Sequence, residues 1–135
     1  MDKWTKFDWS LSLPDNDFFG LIKQNPFIVE TDVFGEYFGK GRLPIMFKEH
    51  IEHKYEHCQK FENSGFVNRI DRNYQNPFGS VNEVNLVVIH ALLNGLNVDE
   101  CVENFFRERY GDAWREVYEL MSKTEANQKK IFYLK

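Results

Sequence analysis

The stretch Phe27-Ile28-Val29-Glu30-Thr31-Asp32-Val33-Phe34 governs how the rest of the chain is read. Its β-branched and aromatic residues are strand formers. Side chains alternate across a strand, so Ile28, Glu30, Asp32 and Phe34 share one face and Phe27, Val29, Thr31 and Val33 the other. The second face is apolar and suits packing beneath helices. The first mixes acids with apolar groups, which an ordinary sheet core would not accept. Gly35, Gly39 and Gly41 follow, so the chain turns sharply just past the strand.

Upstream, Trp4-Thr5-Lys6-Phe7-Asp8-Trp9 alternates large apolar and polar residues and reads as an earlier strand. A loop beginning at Leu13-Pro14-Asp15-Asn16-Asp17 runs on to Asn25-Pro26 without clear helical periodicity. Downstream, Pro44 fits the first turn of a helix. That helix continues through Ile45, Phe47, Ile51, Tyr55 and Cys58 toward Phe61, with Gly65 as its stop. Phe66 to Asp71 reads as a third strand. Ser80-Val81-Asn82-Glu83 has capping-box form and opens a helix striped by Val84, Val87, Val88, Ala91 and Leu92, ended by Asn94-Gly95. Asn97 to Glu100 repeats the cap logic for a helix ending at Tyr110-Gly111. A last amphipathic helix starts near Ala113 and reaches Thr124 or beyond.

Strands alternating with helices predict an α/β fold with parallel strands. The expectation is one unit over residues 1–135: a partial (β/α) barrel of about three parallel strands followed by C-terminal helices. The acids on the Ile28 face suit inward positions near a barrel's catalytic end.

Composition narrows the function classes. The chain has 135 residues, 42% apolar and 28% charged, which is enough apolar content for a core. Aromatic residues make up 16%, and such side chains either fill cores or face sugars. A net charge of −4 without a basic run points away from nucleic acid and anionic membranes. No stretch approaches the ~18 apolar residues of a membrane span, and the first residues form no apolar leader. Cys58 and Cys101 are too few for a disulfide framework. We expect them reduced, which favours the cytoplasm and leaves the compartment otherwise open.

Three carboxylates lie near strand ends: Asp8, Asp32 and Glu36. Chemistry in α/β barrels gathers where loops leave the C-terminal ends of strands. If the first two strands are parallel neighbours, about 5 Å apart, Asp8 and Glu36 can face one pocket. Two acids near one water can share the task of holding and deprotonating it, as the base side of an inverting glycosidase requires. Acids at strand ends are also common as solvated loop residues and helix caps.

The run Phe34-Gly35-Glu36-Tyr37-Phe38-Gly39 resembles the strand end of family 67-type α-glucuronidases, where a Glu-Tyr pair is followed one residue later by Gly. Lys6-Phe7-Asp8-Trp9 resembles the family's preceding strand with its Asp, and Gly65 to Asp71 its final strand. Asn82-Glu83-Val84-Asn85-Leu86 and Asp99-Glu100…Arg109-Tyr110-Gly111 resemble its closing helices. The resemblance covers nearly the whole chain as short motifs in order. It implies catalytic roles for Asp8 and Glu36 on the water, and Tyr37 lining the cleft. It also implies a general acid on an earlier strand. Glu30, Asp32 and Arg69 depart from the family's pattern and point to a sister family with another sugar preference.

Arg69 and Asp71 share parity at the end of the third strand, and an Arg there suits a carboxylate-bearing sugar through bidentate bonding. A structural ion pair between Arg69 and Asp32 or Glu30 is the competing reading. Asn82 and Asn85 are placed at the cleft mouth or as caps. No cofactor motif is present. A full barrel takes about 250 residues, so a fragment is expected, inactive alone and associating through exposed barrel edges. The rival is a non-catalytic α/β interaction module derived from such a barrel. His50, His53 and His57 fall at helical spacing beside Cys58, which admits a metal site, but a polar outer helix face is the plainer reading and no metal is expected. His90 reads as a hydrogen-bonded core or interface histidine.

Overall fold

A computed structural model gives the architecture. It describes residues 21, 26–32, 43–61, 64–69 and 76–132. Strand β1 is Phe27–Asp32, helix α1 Lys48–Gln59 and strand β2 Ser64–Arg69. Four helices follow: α2 Val84–Leu93, α3 Val98–Tyr110, α4 Trp114–Ser122 and α5 Thr124–Phe132.

β1 and β2 pair in parallel, from Phe27 opposite Ser64 to Asp32 opposite Arg69. Parallel strands need a crossover, which α1 provides. It packs on the Phe66 side of β2, where Tyr55 meets Phe66 edge-on at 6.0 Å. Alternation then puts Ile28, Glu30 and Val67 on the opposite side. That side is open, with Ile28 70% and Val67 45% exposed. The sequence assigned it to a barrel interior.

The fold expectation needs correction. The described residues are mostly helical and do not form a partial (β/α) barrel of about three parallel strands. Among the described residues the strands amount to one short ladder; the strand expected at Trp4–Trp9 lies outside them. The physical reason is where the apolar residues go. Among the described residues the core gathers Phe47, Ile51, Val84, Val88, Val102 and Phe106 between helices, and no described strand side chain is part of it. Helix pairs α1–α2, α2–α3, α3–α4 and α4–α5 carry the packing. Phe106 is its aromatic centre, within 5.4–5.9 Å of Phe105, Tyr110 and Tyr118.

Two element boundaries also move. Helix α1 begins at Lys48, and Pro44–Phe47 upstream of it is neither helix nor strand. The helix expected to run unbroken from Ala113 turns at Lys123 and resumes as α5. The first shift traces to hydrogen bonds made by the segment before α1, and the second coincides with one of them.

Candidate functional site

Five of the seven sequence-derived site residues fall outside what can be placed in side-chain detail. Asp8, Glu36, Tyr37 and Asp71 lie outside the described residues, and Arg69 is fixed only in backbone register, opposite Asp32. That register puts the C-terminal ends of β1 and β2 side by side.

Asn82 and Asn85 are brought together, but inside the core instead of at a cleft mouth; they are 3% and 0% exposed. Asn82 Oδ1 accepts from Ile45 N at 2.8 Å while its Nδ2 donates to the Leu43 carbonyl at 2.9 Å. Asn85 repeats the pattern two residues along: Oδ1 accepts from Phe47 N at 2.8 Å and Nδ2 donates to the Ile45 carbonyl at 2.9 Å. From another side Thr124 Oγ1 accepts from Met46 N at 2.9 Å and donates to the Met121 carbonyl. Helical side chains thus serve Leu43–Phe47 as a neighbouring strand would. This capture keeps Pro44–Phe47 out of α1, and the Thr124 bonds coincide with the turn between α4 and α5.

Local backbone geometry assists. The chain enters α2 through a 3₁₀ turn, Val81–Glu83. Three residues rise about 4.5 Å in an α-helix, but roughly 5–6 Å where part of the path is 3₁₀. The 3₁₀ entry therefore lengthens the rise between Asn82 and Asn85 beyond that of a regular α-helix.

The capping box is shifted by one residue. Ser80 Oγ donates to the Pro77 carbonyl at 2.8 Å and makes no cap bond. Glu83 instead reaches Gly79 N at 2.8 Å and takes Arg109 Nη1 at 2.6 Å. The Arg109 guanidinium first, and then the Gly79 N–H, hold the Glu83 carboxyl below its ordinary value.

Helix α1 corrects the histidine reading. His57 is buried with Cys58 and meets Phe61 edge-on at 5.2 Å, so it sits on the inner side, whereas His53 is exposed. Among the described residues no group of three or more His, Cys, Asp or Glu is arranged to hold a metal. His90, expected as a hydrogen-bonded core or interface histidine, is not in the core: it is exposed near the end of α2, within 3.2 Å of Asn94 Nδ2. Both cysteines are free thiols.

A cavity of about 190 Å³ opens where α1, α3, α4 and α5 meet, lined in part by Met46, Lys48, Asp99, Tyr118 and Glu125. Lys48 donates to Glu52 at 3.0 Å and pairs with Asp99 at 3.1 Å. Partial burial pulls its ammonium down, but these two partners outweigh burial and hold it above the ordinary lysine value. Sequence reading missed this cavity because its lining comes from four helices and the segment before α1, with no shared motif.

Comparison with known proteins finds no matching family model, no matching curated protein and no matching solved structure. No helix among the described residues is long and apolar enough to cross a membrane.

Proposed function

We propose that the chain is part of an α-glucuronidase-like glycoside hydrolase acting on a carboxylate-bearing sugar. In this reading Asp8 and Glu36 hold and deprotonate the water of an inverting hydrolysis, with Tyr37 against the sugar. A carboxylic acid from elsewhere in the enzyme protonates the leaving oxygen. Arg69 receives the sugar carboxylate, and Asp71 a hydroxyl. The supporting observation is the parallel register that ends with Asp32 opposite Arg69. Ligands of α/β units gather where chain leaves the C-terminal ends of parallel strands, and both the Gly-Glu-Tyr-x-Gly run and Asp71 follow such ends. The resemblance of Gly35–Gly39 to the family motif supplies the chemistry.

Titration of the chain with D-glucuronate, followed by amide chemical shifts, tests the proposal. Saturable shifts should centre on residues 33–39 and 69–71. Charge-assisted hydrogen bonds contribute about 1.5–3 kcal/mol, so Arg69→Leu should weaken binding roughly 10–100-fold. Absence of saturable binding, or indifference to Arg69→Leu, would contradict it.

A second reading, an interaction module that self-associates, draws on the open side of the ladder. Ile28 and Val67 are apolar and exposed there, and parallel sheets are ordinarily covered on both faces.

A further inference from the structure

We propose that the helical part of the chain is a receptor for a short, non-helical apolar peptide, and that Leu43–Phe47 is its tethered ligand. The proposal is independent of the carbohydrate reading. Ordinary core packing joins side chain to side chain, but here side chains read backbone. The N–H groups of three consecutive residues, Ile45, Met46 and Phe47, are accepted by Asn82, Thr124 and Asn85. The carbonyls of Leu43 and Ile45 accept from the same two amides. Ile45, Met46 and Phe47 themselves are 4%, 4% and 0% exposed, so the groove has a seat for each side chain as well.

Where a protein reads a peptide backbone, main-chain hydrogen bonds give affinity and side-chain pockets give selectivity. The chemistry defines the ligand class as a short, non-helical segment with consecutive bulky apolar residues and free N–H groups at each. A charged segment is excluded by the buried seats. A tethered ligand acts at an effective concentration in the millimolar range. External peptide at micromolar concentration therefore cannot compete until the chain's own segment is weakened.

The test uses the full chain carrying Phe47→Ala, and in parallel the milder Met46→Ala, with a synthetic peptide spanning residues 41–48. Calorimetric titration should show one peptide bound per variant chain, with the melting temperature raised toward wild type. Wild-type chain should take up no peptide at the same concentrations. A peptide N-methylated at Ile45 and Phe47 keeps its side chains but loses the N–H groups that Asn82 and Asn85 accept. It should bind at least tenfold more weakly. If Phe47→Ala leaves the chain unfolded, peptide-induced helix formation by circular dichroism gives the same readout. Failure of peptide to bind or fold either variant would overturn the proposal, as would equal binding of the N-methylated peptide. Equal binding by wild type would overturn the tethered occupancy.

Discussion

Asn85 shows what one buried amide does in this protein. Replacing it with Ala would leave Phe47 N and the Ile45 carbonyl, both now bonded to it, without partners in a closed core. Each orphaned buried group costs about 1–3 kcal/mol. Asn85→Ala should therefore lower unfolding free energy by about 2–4 kcal/mol, measured by urea denaturation. Glu83 gives a pH signature. Its carboxyl is held low by Arg109 and Gly79, so its stabilisation is fully present above the unfolded-state carboxylate value and is lost as pH falls through the folded one. The pair is partly exposed, and the effect should stay below about 1 kcal/mol. Glu83→Gln should therefore destabilise the chain at neutral pH, and the difference should close under acid in denaturation curves. The Asn82-Glu83-Val84-Asn85 run was legible as special, but its partners were not. Those of Asn82 and Asn85 lie 37–40 residues away, and no local pattern reports a contact across that separation.

Helices with strong local signals start and stop where their sequences say. Asn97 caps α3 by accepting from Glu100 N at 3.1 Å, and Gly111 ends it with φ of +52°. A Cβ at Gly111 would meet nothing within 4 Å, so the cost of a side chain there is backbone strain alone. Gly111→Ala should destabilise by about 1–3 kcal/mol, read from the thermal midpoint. Elements whose limits depend on tertiary bonds were misplaced. Pro44 suits a helix start and a non-helical segment equally well, and the amides of Asn82 and Asn85 decide for the latter. Gly65, taken as a helix stop, belongs to β2. Its strand starts two residues earlier than its apolar pattern suggested, where pairing with β1 begins.

At the scale of the whole molecule, the alternation of strands and helices was real around α1 but did not extend into a barrel. After residue 80 each apolar stripe finds another helix, and the ladder of β1 and β2 is left with one open side. Ile28 and Val67 on that side predict concentration-dependent association in sedimentation runs, reduced by Ile28→Lys together with Val67→Lys. The proposed chemistry belongs to this scale too, since it requires Asp8 and Glu36, 28 residues apart in sequence, to act on one water. A double-mutant cycle on D-glucuronate affinity, using Asp8→Asn, Glu36→Gln and the pair, measures that requirement most directly. Carboxylates sharing one water should show a coupling energy of about 0.5–3 kcal/mol. Effects that add within about 0.3–0.5 kcal/mol, or no binding by any of the chains, would contradict it.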